Sequence, residues 1–383
     1  MSYSKNANVY ADSCEFYDRE RIKEIVFNHF DKIISEQYND FDFEDKKVAL
    51  KPNLLAKRNP DAGITTHPYF VSAAAEYFLN KGAKVVICDS PGGVYNTASI
   101  TGIYNVCLMK QAAEESGAEL NFDMGHTEMS NKDGEVSKSF SVINPLAQAD
   151  FIVNLCRLKT HSLCNMSAAV KNMYGSIPGL MKAEQHARFP AQKDFSRYLV
   201  DLCCAVCPSI SVIDAIIAME GNGPAGGTPK KVGLVLSGAN PFVLDLCASG
   251  IMDFDIDEVL TVKNAVSRGL CPESREDVKI VGEDIKKYVS HFKRPDSSAG
   301  GLIKQMPNLF GGRLRKWLEP RPVIKKKKCV GCGECAKCCP RETIDIVDKK
   351  AVIKYDKCIK CYCCQELCPM KAVEIKRNLF MKF

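Results

Sequence analysis

One cysteine frame occurs twice near the end of the chain: Cys329, Cys332, Cys335 and Cys339-Pro340, then Cys358, Cys361, Cys364 and Cys368-Pro369. Both copies read C-x2-C-x2-C-x3-C-P, the run that holds cubane 4Fe-4S clusters, the fourth cysteine of each run serving the other cluster. A cubane needs a thiolate at each of four iron corners, and cysteines two residues apart can supply three of them from one tight turn. The fourth must arrive from elsewhere, so the tail has to fold back on itself. The crossed assignment puts Cys329, Cys332, Cys335 and Cys368 on one cluster and Cys358, Cys361, Cys364 and Cys339 on the other. Gly331 and Gly333 suit the first turn because they reach positive φ without a Cβ clash. Proline after Cys339 and Cys368 keeps both cysteines out of helical φ/ψ.

The two copies are offset by 29 residues, from 329 to 358 and from 339 to 368. The same offset aligns Ile344-Asp345-Ile346 with Val373-Glu374-Ile375, two alternating segments expected as small strands beside the clusters. Zinc is the competing reading, but zinc frames are two C-x2-C pairs with a spacer, not three cysteines at two-residue intervals. The tail therefore reads as a bacterial-type two-cluster ferredoxin unit whose chemistry is one-electron transfer. Cys338 and Cys363 sit beside the ligands, either as alternative ligands or redox thiols or as small buried packing.

The other ten cysteines follow no metal-like or disulfide-like frame and mostly fall in apolar segments, where a free thiol packs as a small hydrophobe. Residues 1–8 lack the apolar core of a signal peptide, and no run approaches the roughly 18 apolar residues of a spanning helix. These features lead us to expect a protein of a reducing cytoplasm, in an anaerobic or microaerobic cell. From Lys325 to Phe383 there are 15 Lys and Arg against 7 Asp and Glu, so the tail is +8 and the remainder +6 minus +8, or −2. Each oxidised cluster with its thiolates carries about −2, which removes half of the tail's formal charge. The run Lys325 to Lys328 reads as a docking patch for an acidic redox partner or as a solvated linker end. It is short and has no interleaved aromatics, which argues against nucleic acid.

Composition divides the chain into residues 1–292, a linker over 293–322 rich in Pro, Gly, Ser and Arg, and a tail over 323–383. A helical turn is expected within the linker near Arg313 to Leu318. In the first region, apolar runs at Lys47–Leu50, Lys84–Cys88, Phe151–Leu155, Ser211–Ile217 and Val232–Ser237 read as strands. Amphipathic runs at Pro68–Lys81, Ile103–Ser116, Phe195–Cys207, Pro241–Met252 and Asp257–Arg268 read as helices. That alternation predicts an α/β domain with a parallel or mixed sheet flanked by helices, followed by the small α+β ferredoxin-like domain.

Ligands of such folds sit beyond the carboxyl ends of the strands, so the polar groups there become candidates. They are Lys51 and Asn53; Thr66 and His67, either of which could begin a helix; and Ser90, Gly92 and Gly93, in a turn whose amides could cradle an anion. After the third strand come Lys159, His161, Lys171 and Asn172. Lys159 and Lys171 suit a carboxylate or phosphate, and His161 suits acid–base work or a metal. If Met166 to Tyr174 is helical, Ser167 and Lys171 share a face. Gly221-Asn222-Gly223-Pro224-Ala225-Gly226 matches a dinucleotide fingerprint only formally, because a strand follows it instead of a helix. We read it as a glycine-rich loop beside the pocket, with Glu220, Gly221 and Gly223 in the ligand site and Asp214 as a nearby carboxylate. His67, His161 and His186 could form a three-histidine metal site, although nothing in their spacing enforces it.

Taken together, Lys51-Pro52-Asn53, Thr66-His67-Pro68, Asp89-Ser90-Pro91-Gly92-Gly93, Lys159-Thr160-His161, Lys171-Asn172-x-x-Gly175 and Glu220-Gly221-x-Gly223-Pro224 resemble the domain of unknown function 362 family over residues 7 to 290. The resemblance implies an α/β domain associated with iron-sulfur proteins and supplies no reaction. Three functions fit the sequence. One is an oxidoreductase, or a component of one, acting on a small anionic substrate. Another is an electron carrier that docks a ferredoxin, flavoprotein or reductase. The third is a metal- or ligand-binding domain with sensory or structural clusters.

Overall fold

The computed structural model describes residues 3–5, 7–298 and 319–376. In chain order the body contains β1 (Val9–Ser13), α1 (Arg19–Gln37), β2 (Lys47–Lys51), α2 (Pro68–Leu79), β3 (Lys84–Ile87), α3 (Thr97–Val106), α4 (Met109–Ser116), β4 (Glu119–Leu120), β5 (His126–Ser130), β6 (Ser139–Ile143), α5 (Asn144–Ala147), β7 (Phe151–His161), β8 (Asn165–Ser167), α6 (Ala169–Asn172), α7 (Met181–Arg188), α8 (Gln192–Val206), β9 (Ile210–Glu220), β10 (Thr228–Gly238), α9 (Pro241–Ile251), α10 (Leu260–Ser267) and β11 (Ile280–Gly282). Nine strands form one mixed sheet in the order β11-β1-β10-β9-β7-β2-β3-β4, with β8 paired to β7. β9, β7, β2, β3 and β4 run parallel, while β10 turns back antiparallel on β9. The carboxyl ends of β2, β3 and β7 therefore meet at one edge.

The central strands are apolar on both sides because helices cover both sides. Along β7, Phe151, Val153 and Leu155 join the apolar layer under α1 and α2, where Ile22, Ile25, Phe30, Phe70 and Phe78 are buried. Ile152, Cys156 and Leu158 join the opposite layer under α8, α9 and α10, with Phe195, Leu199, Leu246 and Val262. Each such side chain contributes about 1.5–3 kcal/mol on burial. No helix among the described residues is long and apolar enough to cross a membrane.

Three local expectations change. The helix expected over Ile103–Ser116 is broken between α3 and α4, where Leu108 takes φ +59°. The segment Met166–Tyr174 is not one helix: Ser167 ends β8 and Lys171 lies in α6, with Ala168 between them at φ −143°, ψ −131°. Residues 293–298, expected as linker, are tied to the body: Gly221 N donates to Lys293 O at 2.7 Å, Asp296 N to Asn222 Oδ1 at 2.8 Å and Ser298 Oγ to Asn165 Oδ1 at 2.9 Å. The turn expected near 313–318 lies outside the described residues.

In the tail the 29-residue duplication is structural. β12 (Arg321–Ile324) corresponds to β14 (Lys350–Ile353), β13 (Ile344–Val347) to β15 (Val373–Lys376), and the one-turn helix Glu334–Lys337 to Cys363–Glu366. The strands pair across the copies, β12 with β15 and β13 with β14, both antiparallel. Gly331 and Gly333, at φ +72° and +81°, have counterparts in Lys360 and Tyr362 at +56° and +63°. The second copy thus keeps the same turn without glycine.

Candidate functional site

The turn-helix units bring the eight frame cysteines around two cavities of about 340 Å³ each. One is lined by Cys329, Cys332, Cys335 and Cys368, the other by Cys339, Cys358, Cys361 and Cys364. Backbone amides point at the sulfurs: Ala372 N lies 3.2 Å from Cys368 Sγ, and its 29-residue counterpart, Thr343 N, lies 3.4 Å from Cys339 Sγ. Ala351 N reaches Cys329 Sγ at 3.4 Å, and Thr343 Oγ1 is 3.3 Å from Cys339 Sγ. Four soft thiol donors around each cavity, with N–H groups aimed at the sulfurs, fit a 4Fe-4S group.

A third cavity, about 730 Å³ including its mouth, opens where the carboxyl ends of β2, β3 and β7 meet the tail. Lys51 from β2, Asp89, Ser90, Gly92 and Gly93 after β3, and Lys159 and His161 from β7 line its floor. Ser167, Lys171, Asn172, Lys182 and His186 line its side, while Cys338, Cys363, Glu366 and Leu367 from the tail close it. Two wall glycines, Gly92 and Gly175, pack closely against neighbouring side chains. A Cβ at Gly92 would lie 2.6 Å from Leu367 Cδ2, and one at Gly175 would lie 2.5 Å from Lys51 Nζ. Arg58 also ties the tail down, donating at 3.0 Å to the carbonyls of Cys368 and Pro369, and Gln365 Nε2 donates to Asn222 O at 2.9 Å.

The cations of this cradle are held in different ways. Lys51 is fully buried, with Nζ 2.7 Å from Asp89 Oδ1, and Asp89 also accepts from Leu54 N at 2.9 Å. Lys159 Nζ donates to Asn53 Oδ1 at 2.6 Å and to Ile64 O at 2.9 Å. Burial, then the neighbouring Lys171 and Arg157, pull its pKa down to about 7. Lys182 donates to Ser90 O at 2.6 Å and to Ile177 O. Lys171 Nζ sits 4.4 Å from the Tyr174 ring centroid and 6.0 Å from that of Phe195. Among the described residues it has no carboxylate or carbonyl partner within bonding distance.

The histidines of the cradle are neutral. Burial first and Lys171 second hold His161 well below its usual range and bring His186 to about 3. His161 Nδ1 accepts N–H from Leu163 at 3.0 Å and Cys164 at 3.3 Å, so the ring proton sits on Nε2. That atom faces Glu366 Oε1 at 3.2 Å without hydrogen-bond alignment. Burial raises the Glu366 pKa, against the pull of Lys171 and Lys159. His161 Nε2, Glu366 Oε1 and His186 Nδ1 are all buried polar atoms without a hydrogen-bond partner. Such orphans cost about 1–3 kcal/mol each unless something in the cavity satisfies them.

Of the residues expected at the ligand site, Lys51, Asn53, Ser90, Gly92, Gly93, Lys159, His161, Lys171 and Asn172 lie together on the cradle wall. His67, Glu220, Gly221 and Gly223 do not. His67 caps α2, accepting from Tyr69 N at 3.3 Å, and stacks on Tyr17 at 4.0 Å. Glu220 pairs with Lys230 at 3.1 Å, and Gly223 O accepts from Ser162 Oγ at 2.7 Å. Only Pro224 of the glycine-rich loop reaches the wall, because β9 and β10 form a hairpin that carries the loop past it. Asp214 is spent on a buried pair with Arg157 at 2.8 Å. The three-histidine arrangement is not formed: His161 and His186 share the cradle and His67 lies outside it. Among the described residues, no group of three or more His, Cys, Asp or Glu side chains in the cradle is placed to hold a single metal ion. Lys182 and Glu366 are cradle residues that no motif signals, Glu366 being hidden among the cysteines of the second frame.

The family described as domain of unknown function (DUF362) matches residues 48–250, and the family described as 4Fe-4S dicluster domain matches residues 321–369. A thylakoid-associated protein of Synechocystis sp. is 31% identical over 255 residues, covering 65% of this chain and 76% of that protein. The lactate racemase apoprotein from Thermoanaerobacterium thermosaccharolyticum superposes with a TM-score of 0.37 at 10% identity, over 56% of this chain and 51% of that one, so the chain spans about half of its length.

Proposed function

Because the chain belongs to the DUF362 family and carries a 4Fe-4S dicluster domain, we propose that it is a redox enzyme or enzyme component that holds two clusters and binds a small anionic substrate in its α/β body. The observation that carries this reading is the cradle itself: four lysines, two neutral histidines and a tail-derived carboxylate around one cavity, with three buried polar atoms unpaired. The crossed cysteine sets would hold the clusters, which when bound supply one-electron chemistry. The remaining roles belong to side chains. Lys171 and Lys159 attract the anion, and Asn53 holds Lys159 in place. His161 offers an Nε2 proton, Lys51 and Asp89 fix the floor, and Leu367 with Cys363 keeps water out.

A redox partner protein such as a ferredoxin, flavoprotein or reductase would approach the opposite cavity. There Cys332 is exposed, Val330 is 56% and Met370 47% exposed, and Lys326 and Lys327 are exposed nearby. An acidic partner face complements that rim. A pure electron carrier would leave the unpaired cradle atoms without a purpose.

The test is anaerobic binding of a panel of small mono- and dicarboxylates and phosphates, followed by mixing of the reduced protein with those that bind. The reading expects at least one to bind in the millimolar range or tighter and to reoxidise the reduced protein, and Lys171→Ala to weaken its binding tenfold or more. Equal behaviour of wild type and Lys171→Ala toward every anion would remove the cradle from the account.

A further inference from the structure

Among the described residues, Cys363 alone lines both the cradle and the cavity of Cys339, Cys358, Cys361 and Cys364. The cavity of Cys329, Cys332, Cys335 and Cys368 shares no lining residue with the cradle. Cys338, next in sequence to Cys339, also lines the cradle, and its Sγ donates to Cys335 O at 3.4 Å. Cys338 and Cys363 are 2% and 7% exposed, so the wall is dry. The other cavity has an exposed cysteine, Cys332, at its rim.

A charge beyond a dry wall one side chain thick is poorly screened, whereas one beside solvent is screened well. We propose that the cradle is a redox-linked anion site, coupled through Cys363 to the iron-sulfur group that Cys339, Cys358, Cys361 and Cys364 would hold, and more weakly to the other. This rests on the anion-cradle reading above and adds a direction and an address to it. One electron entering that group from a one-electron donor adds one negative charge next to the cradle. No bond is made or broken in the anion. The anion then binds more weakly to the reduced protein, and linkage requires it to lower that group's midpoint potential by the matching amount. A tenfold weakening corresponds to about 59 mV for one electron.

The experiment is a dithionite titration of the full-length holoprotein, followed by electron paramagnetic resonance, with and without saturating sulfate at constant ionic strength. Sulfate affinity is measured separately by calorimetry. The Thr343→Val variant marks the coupled group, because it removes the hydroxyl 3.3 Å from Cys339 Sγ and should lower that group's potential. The expected result is a clearly larger fall of one midpoint, the one Thr343→Val also lowers, with sulfate binding about tenfold weaker to the reduced protein. At the same sulfate concentration Lys171→Ala should shrink the shift. Sulfate that binds yet moves both midpoints equally, moves neither, or moves the unmarked one more overturns the coupling alone. A wild type that binds neither sulfate nor any of the carboxylates and phosphates overturns the anion cradle together with it, and where only one of those others binds, that anion replaces sulfate in the titration.

Discussion

His161 Nε2 lies 3.2 Å from Glu366 Oε1, across the junction between the α/β body and the cysteine-rich tail. One partner comes from the end of a central parallel strand and the other from the turn-helix unit of the second cysteine frame, so the tail supplies part of the cradle's charge. Glu366 is the acidic group set against Lys159 and Lys171, and it opposes an incoming anion. Glu366→Gln is expected to tighten sulfate binding about threefold to tenfold, the effect of roughly 1 kcal/mol of relieved repulsion in a partly dry site. Calorimetry on the oxidised protein checks this, and weaker binding would instead make Glu366 a ligand contact.

Lys51 and Lys171 separate structure from recognition. Lys51→Ala leaves Asp89 buried without its counter-ion and is expected to cost about 3–5 kcal/mol of stability in thermal or urea unfolding. Lys171 is half-buried over aromatic rings and, among the described residues, makes no ion pair at bonding distance. Its replacement by alanine should leave stability within about 1 kcal/mol while weakening anion binding at least tenfold. A Lys171 variant that melts like the Lys51 variant would contradict the distinction.

Burial, followed by Lys171 and Arg157, lowers the Lys159 pKa from 10.5 to about 7. In the fold this lysine is charged below pH 7 and neutral above it, so affinity for sulfate, whose own charge is constant there, should fall as pH rises through 7. The stability effect has the opposite sign. Between about 7 and 10.5 the unfolded chain keeps a proton that the folded chain has released, so stability rises with pH across that window and the gain is absent below it. Lys159→Met should flatten both profiles, and calorimetry and melting over pH 6 to 9 read them separately.

Much of the cradle is legible in the sequence because parallel strands deliver their carboxyl ends to one edge. Lys51, Ser90, Lys159 and His161 all follow or end apolar runs, and the runs mark the strands. His67 carries the same signature for a different reason: it starts α2 as a cap, and local sequence does not distinguish a cap from a ligand. Lys182 and Glu366 ride on short helices whose positions come from tertiary packing, with no periodicity of their own. The pairing of Ser167 with Lys171 fails as a helix-face argument yet both line the cradle, because the chain turns at Ala168 and returns them to the same wall. In α1, Ile22, Ile25, Val26, Phe30 and Ile33 recur at helical spacing as a buried stripe, and the many charges between them mask it.

The body and tail should separate on cluster loss. The body has two apolar layers of its own. The tail's core is Ile344, Ala351, Ile353, Ala372 and Val373 around four of the frame cysteines, too little to fold without the groups we propose they hold. Oxidative removal of iron with a chelator should therefore expose residues 319–376 to proteolysis while the body's melting transition persists. Loss of both together would show that the body depends on the tail.

The central claim is that two iron-sulfur groups sit on crossed cysteine sets, one of them against the cradle wall. Iron-edge anomalous diffraction from anaerobically grown crystals tests it most directly. The account predicts two four-iron peaks, one bound by Cys329, Cys332, Cys335 and Cys368 and the other by Cys339, Cys358, Cys361 and Cys364, with Cys363 between the second and the cradle. A single peak, uncrossed ligation within each frame, or zinc at these cysteines would contradict it.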